Sequence, residues 1–317
     1  MKNMHEENNY PPYVSDINLQ ELFLVLWNKK LLISSITITF SLIAVMYSLS
    51  LPNIYKSEAL LASADQDKSS SSMLRGSAGI SGLVGLTLPA EANKSIEAIE
   101  IIKSYDFFSN YLLPLISLQD IMAVESWDQK LNKIYYDPKL FDSKSGEWIR
   151  KASFPIPKKP SSQEAFHAYR ALMDVSKDKK TSFVTISIKH HSPFIAQEWV
   201  KLIIREINKS MRNKEKELVS NSIIFLNKQA EKVNYEEVKQ AIASLQQEQV
   251  KSLMLIEANE DYIFKVLNSP LAPEIKSEPS RSNIVITISL IGFIFINFLI
   301  LLSHYLRINV FLQNPKS

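Results

Sequence analysis

Two long apolar stretches, one near each end, constrain this chain more than any other feature. Residues 31–55, "LLISSITITFSLIAVMYSLSLPNIY", hold no charge between Lys30 and Lys56. Residues 282–303, "SNIVITISLIGFIFINFLILLS", hold none between Arg281 and His304. At a helical rise of about 1.5 Å per residue, either stretch crosses a hydrocarbon core of about 30 Å. A core helix of a soluble protein rarely stays charge-free for so long, so both are read as membrane spans, at 31–53 and 282–303. The first lies too far into the chain and is too long to be a signal-peptide h-region. The residues from Ser48 to Leu51 also make a poor small-residue cleavage site, so it is read as a retained anchor.

Two spans divide the chain into a tail at 1–30, a body at 54–281 and a second tail at 304–317. Lys29 and Lys30 border the first span and Arg307 follows the second, so the positive-inside rule favours both tails in the cytoplasm. The bias is weak, because Lys56 and Arg281 flank the opposite ends. No GxxxxGK[ST] motif occurs, and the second tail leaves no room for an attached kinase. Function is therefore expected in the body. A net charge of +3 argues against a nucleic-acid partner. The chain has no cysteine, which excludes disulfides, thiolate metal sites and cysteine nucleophiles.

Within the body, 54–62 alternates like a strand, and so does 181–191, "TSFVTISIKHH". A third short strand is expected at 262–268. The two strands that abut the spans are expected to pair with 181–190 in one sheet. Residues 89–114 read as an amphipathic helix ended by Pro114, and 161–175 as a second helix with Ser162 as N-cap. Residues 127–158 read as aromatic loop. The longest helical signal begins at Ser192 and Pro193, a cap followed by a first-turn proline, and runs to about 233. Its stripe of Val219, Ile223, Leu226, Ala230 and Val233 is spaced 4, 3, 4 and 3, a coiled-coil seam. Such a rod is expected to project and pack on other helices. A capping box of Asn234 and Glu237 restarts the chain, giving a helical arm over about 193–260. Pro270, Pro273 and Pro279 make a stiff, extended lead into the second span.

Little in the body looks catalytic. His190 and His191 are adjacent on a strand and point to opposite faces, which disfavours a shared metal. No HExxH, GxSxG or DxDxDG pattern occurs. Glu97 and Glu100 read as a solvated helix face, and "RNKEKE" at 212–217 as salt-paired arm surface or inter-subunit contacts. Trp127, Tyr135, Tyr136, Phe141 and Trp148 offer rings for sugar stacking, but packing of an irregular region explains them better. Asn297, an amide inside the second span, is expected to pack against the first span or a neighbour, with Ser34, Ser35, Thr37, Thr39 and Ser41 as available partners.

Several segments carry a family resemblance, in order along nearly the whole chain. "DINLQELFLVLWNKKLLISSI" resembles the entry into the first span of chain-length determinant proteins of the Wzz type, the polysaccharide co-polymerases of Gram-negative inner membranes. "LPNIYKSEALL" is similar to the family's exit from that span, and "EAIEIIKSYDFFSNYL" to its first periplasmic helix. "FVTISIKHHSPFIAQEWVKLIIREIN" resembles the start of its long helix, and "LMLIEANEDYIFKVLNSPLAPEIKSEPSR" its return to the membrane.

The resemblance implies an α+β membrane protein. Two transmembrane helices flank a periplasmic α/β base with a long protruding helical arm, and identical subunits form a ring in the bacterial inner membrane. It implies a non-enzymatic role, needing no cofactor and no metal: setting the chain length of O-antigen or a related surface polysaccharide together with a Wzy-type polymerase. The growing polysaccharide or its lipid carrier is a further partner if the arm reads length directly. An adaptor of a capsule or exopolysaccharide export machine is the alternative. Four of the six glycines, Gly76, Gly79, Gly82 and Gly85, recur at every third position. That spacing puts them on one edge of an extended, three-per-turn backbone. The family often carries such an apolar segment after its first strand. The edge is read as facing a neighbouring subunit, the bilayer or the ring's inner wall, with a plain loop of small residues as the alternative.

Overall fold

The computed structural model describes residues 19–64 and 94–313. The elements in chain order begin with α1 (Leu19–Asn28), α2 (Lys30–Ser50), β1 (Tyr55–Ser63) and α3 (Lys94–Ile102). There follow α4 (Tyr105–Phe107), a π-helical turn (Phe108–Leu112), α5 (Leu118–Met122), β2 (Val124–Asp128) and β3 (Lys133–Tyr136). Next are β4 (Phe141–Asp142), β5 (Glu147–Trp148), α6 (Ser162–Leu172), β6 (Met173–Lys177) and β7 (Val184–His190). The series ends with α7 (Pro193–Ala230), α8 (Glu236–Ala258), β8 (Phe264–Asn268) and α9 (Arg281–Gln313). The described residues form two compact units: 19–51 with 279–313, and 52–64 with 94–278.

The first unit is a helix pair. Lys30–Ser50 and Arg281–Leu306 are both long and apolar enough to cross a membrane. The two helices meet at a glycine: a Cβ on Gly292 would lie 2.6 Å from Phe40 Cγ, so only a hydrogen fits there. A polar contact joins them, Ser41 Oγ to Ser289 Oγ at 2.7 Å. Small residues let helix backbones approach, and a hydroxyl pair satisfies itself where water is scarce.

The second unit is built on a four-stranded sheet in the order β6-β7-β1-β8. β7 pairs antiparallel with both β1 and β6, and β8 pairs antiparallel with β1. The register explains the burial. Tyr55, Ser57, Ala59 and Leu61 stand opposite His190, Ile188, Ile186 and Val184, and all eight are buried. Of the intervening residues, Lys56, Glu58, Leu60, Thr185 and Lys189 are at least partly exposed, as a period of two favours for a sheet covered mainly on one face, while Ser187 is buried. The first half of α7 covers that face with Trp199, Val200, Ile203, Ile207 and Met211. Phe107, Phe108, Leu112 and Tyr169 close the core from α4, the π-helical turn and α6. The three strands expected at 54–62, 181–191 and 262–268 form within three residues of those limits and share one sheet, but only the first pairs with 181–190 as expected; the third pairs with β1 on its other edge and not with β7.

Several local expectations are corrected. The stretch 161–175 is not one helix, because Met173–Lys177 pairs with β7 as the outer strand β6. Its N-cap is Ser161, one residue earlier than expected; Ser161 Oγ accepts from Glu164 N, and the Glu164 carboxylate accepts from Ser161 N. The expected helix over 89–114 is broken at Ser104, whose hydroxyl donates to Ile101 O and accepts from Phe107 N to start a new turn. Residues 127–158 are not all loop. β2 pairs with β3 and β4 with β5, and the turns are set by Asn132 and Gly146 at positive φ. The box expected from Asn234 and Glu237 does not form; α8 starts after Tyr235 with no side-chain cap. Glu236 and Glu237 in its first turn still suit the positive end of the helix dipole.

Candidate functional site

The long helix α7 organises the second unit, and its two halves meet different surroundings. Ser192 Oγ accepts from Ile195 N and Pro193 occupies the first turn, so the helix begins where the sequence places it. His190, immediately before, is locked by two bonds. Its Nδ1 accepts from Ser192 N at 2.9 Å, which leaves Nε2 to donate to Asp120 O at 2.9 Å. Burial pushes the imidazole pKa below its ordinary value. No cluster of three or more metal-type side chains exists among the described residues. His190 also tilts against Trp199, with ring centroids 5.2 Å apart, and packs edge-on to His191.

Further along, Asn208 fixes α7 to β8. It is 4% exposed, and its Oδ1 accepts from both Ile263 N and Phe264 N while Nδ2 donates to Phe264 O. A buried amide that makes three such bonds sets the register of a helix against a strand end. Gln197 Nε2 donates to Pro270 O, and Ser57 Oγ donates to Leu271 O. Pro270 is thereby buried against the sheet, while Pro273 is half-buried. The backbone then rejoins the start of β1, where Ile54 bridges Glu278. Pro279, half-buried, falls in the helix-pair unit.

In the charged segment 212–217, three side chains form ion pairs with other helices of the chain. Lys214 reaches Glu97 and Glu215 reaches Lys94, both on α3, while Lys216 reaches Glu257 on α8. Glu100 pairs with Lys103 instead, so Glu97 and Glu100 do not act as an acid pair.

Beyond this belt α7 and α8 form an antiparallel hairpin, tied by Gln246 Nε2 donating to Asn227 Oδ1 at 2.7 Å. Of the seam residues, Val219 is buried, and Ile223, Leu226, Ala230 and Val233 are half-buried. Ile223 packs on the main core, and Leu226 lines a shallow groove of about 490 Å³ with Phe225 and, from α8, Leu245 and Gln249. Part of the seam is thus covered by the chain's own α8. Leu218, Ile224, Phe225 and Leu245 remain exposed along the hairpin.

The aromatic set splits into two packed groups. Tyr136, Phe141 and Trp148 stack edge to face, with centroids 5.4 and 5.3 Å apart. Trp127 sits between Tyr55 and Phe194. Tyr136 Oη donates to Asp120 Oδ1 at 2.6 Å; burial pushes the Asp120 carboxyl up, and burial with the neighbouring carboxylate raises the phenol further. Tyr135 is exposed, with Lys133 over its ring. In α9 the Asn297 Nδ2 donates to Phe293 O of its own helix, while the polar contact between the helices falls to Ser41 and Ser289. Gly76, Gly79, Gly82 and Gly85 lie outside the described residues.

Sequence reasoning passed over one arrangement. Lys201, Arg205, Lys209 and Arg212 follow one another at helical spacing and line a cavity of about 480 Å³, with Glu260 and Asp261 across from them. The buried Glu206 carboxylate holds Arg205 at 2.9 Å and Lys209 at 3.9 Å. The i, i+4, i+8, i+11 spacing was the available signal.

These features define a class: a mixed helix–strand body that includes a helical hairpin and is flanked in sequence by two membrane-length helices. The description "chain length determinant protein" (Wzz) is that of the family model matching residues 15–113, and the chain resembles that family as its sequence motifs indicate. The matched segment runs through α1, α2, β1 and α3 to the end of the π-helical turn. A solved full-length bacterial polysaccharide co-polymerase is 13% identical, covering 92% of this chain and 98% of its own, with a TM-score of 0.38. A fragment of WzzB, a polysaccharide co-polymerase from Salmonella Typhimurium, is 13% identical, covering 71% of this chain and 100% of its own, with a TM-score of 0.33. Both scores are too low to speak for a shared fold. No curated protein matches the chain.

Proposed function

We propose that this protein is a non-enzymatic regulator of polysaccharide chain length in the bacterial inner membrane. It acts on O-antigen or a related surface polysaccharide, as a ring of identical subunits working with a Wzy-type polymerase. The observation that carries this reading is the Wzz family match over residues 15–113. That segment includes the first membrane-length helix and the first strand of the body. In this reading α2 and α9 hold the body at the periplasmic face, with both tails in the cytoplasm. The exposed apolar residues of the α7–α8 hairpin then meet neighbouring copies, and Asn297 packs within the helix assembly.

Deleting the gene and resolving surface polysaccharide on a gel tests the reading. Loss of the modal band with polymer still made supports it. Abolished surface polymer would instead point to an adaptor of an export machine. A Leu226→Glu change places a charge in the hairpin groove and should shift the modal length, since a buried or interfacial charge is costly without a partner. Replacing Gly79 and Gly82 by Val tests the glycine edge by the same readout. A reporter enzyme fused within the body that behaved as cytosolic would overturn the placement.

A further inference from the structure

Residues 148–160, "WIRKASFPIPKKP", hold four cations and no acid. Arg150 closes this segment on itself. Its Nε donates to Lys158 O at 2.7 Å and an Nη to Pro157 O at 2.8 Å. Both Nη groups also donate to the Glu164 carboxylate at 2.9 Å, the planar two-point match that makes arginine–carboxylate pairs specific. Glu164 in turn accepts from Ser161 N in the cap of α6. These bonds hold the Glu164 carboxyl down to about 2, the Arg150 contact being the largest cause. The neck of the loop is therefore tied to a helix start, and residues 151–157 form a closed loop between its two sides.

The tip of that loop is apolar. Phe154 is 98% exposed and Ile156 is 51% exposed. An unpinned loop would fold such a ring onto nearby apolar surface, since burying a phenyl side chain is favourable. Here the neck holds it out. Lys151, Lys158 and Lys159 flank the tip, all exposed, and none has an ion pair among the described residues. An apolar tip ringed by unpaired cations is the chemistry of a segment that lies in a membrane interface. The ring enters the headgroup–acyl boundary while lysines meet anionic headgroups. A protein partner fits less well. A stable interface buries about 800 Å² per side, and a three-residue tip offers far less.

We propose that residues 151–159 are an interfacial anchor for anionic lipid, holding the body of the protein against a bilayer surface independently of the two helices. The proposal goes beyond the polysaccharide reading and rests only on α2 and α9 lying in a bilayer.

The absence of cysteine makes the test direct. Ser153→Cys in the full chain gives a unique thiol beside an intact Phe154, to be labelled with the environment-sensitive dye NBD. The protein is placed in nanodiscs of phosphatidylglycerol mixed with phosphatidylcholine, in nanodiscs of phosphatidylcholine alone, and in detergent. In the anionic discs the emission should shift to the blue and be quenched by nitroxide-bearing lipids. Phe154→Ser and the triple change Lys151→Glu, Lys158→Glu, Lys159→Glu should each remove the shift. The same label at Glu248→Cys on α8 should stay in water throughout. Equal quenching by aqueous iodide in anionic discs and in detergent would overturn the proposal. So would a blue shift without lipid quenching that depends on protein copies per disc, since that marks a second chain as the occupant.

Discussion

The two halves of α7 have the same secondary structure and different reasons for having it. From Pro193 to Met211 the helix buries Ala196, Trp199, Val200, Leu202, Ile203, Ile204 and Ile207 against the sheet. After Met211 it buries Val219 alone, and its remaining support is the belt of ion pairs and the facing helix α8. Helices in proteins draw most of their stability from tertiary packing. The first half is therefore anchored by a core, while the second is held by one neighbour with apolar side chains left over. Ile203→Ala should cost about 2–5 kcal/mol, the range for deleting a buried branched side chain in a core that cannot collapse. Leu226→Ala should cost about 1 kcal/mol or less in the isolated subunit, because the site is already half-open. Thermal unfolding of the full chain in detergent measures both. Equal losses would break the contrast. A large Leu226 loss seen only in the assembled protein would show that other copies supply the missing packing.

Asn208 sharpens the same contrast, because it is the polar fastener of the anchored half. Removing its amide leaves Ile263 N, Phe264 N and Phe264 O without their side-chain partner in a buried place. Asn208→Leu should cost about 1–3 kcal/mol, since an unsatisfied buried group forfeits its solvation. Hydrogen exchange should speed up at 263–264 and stay unchanged beyond Val219. The helix pair makes an independent case of dense packing. Gly292→Ala drives a methyl group into Phe40, whose Cβ and Cγ sit at the stiff base of the side chain. The expected loss is about 1–3 kcal/mol, as for overpacking elsewhere, and Phe40→Ala in the same chain should recover much of it.

What the sequence made legible follows the range of the forces involved. β7 was legible because Val184, Ile186 and Ile188 alternate with polar residues, and the start of α7 because Ser192 and Pro193 are local signals. β6 was hidden because "ALMDV" continues a helical run with no glycine or proline; only its pairing with β7 makes it a strand. The small hairpins were hidden because strands of two to five residues carry too few alternations to register. The seam on α7 was visible, whereas the in-chain partner covering part of it was not. The Asn208 fastener was illegible because its partners lie 55 and 56 residues away. The neck made by Arg150 was missed for a different reason: its partners are close in sequence, but two of them are backbone carbonyls that no residue type announces.

The smallest expected effect lies at the root of α7 and depends on pH. His190 accepts from Ser192 N through Nδ1, so only the neutral ring fits, and burial lowers its pKa. In the unfolded chain the imidazole takes a proton near its ordinary value of about 6.5; in the folded chain it resists until a lower pH. Between those two values the unfolded state binds more protons, so stability falls as pH falls. Above about 6.5 both states are neutral and the contribution is complete. His191 is lowered too, by burial and then by its neighbour, and adds in the same direction. Asp120 faces His190 through its backbone oxygen while its side chain is engaged by Tyr136, so it forms no direct ion pair with the ring; its carboxyl, pushed up by burial, takes a proton more readily in the folded chain and works against the effect only at the lower pH where carboxyls titrate. The melting temperature of the full chain should therefore decline as pH is lowered below about 6.5, and His190→Asn should flatten that decline. Hydrogen exchange at 192–196 should rise with it while amides of α7 beyond Val219 hold steady. A decline of equal size in His190→Asn would place the titration elsewhere. Loosening along the whole of α7 would show that its two halves share one source of stability after all.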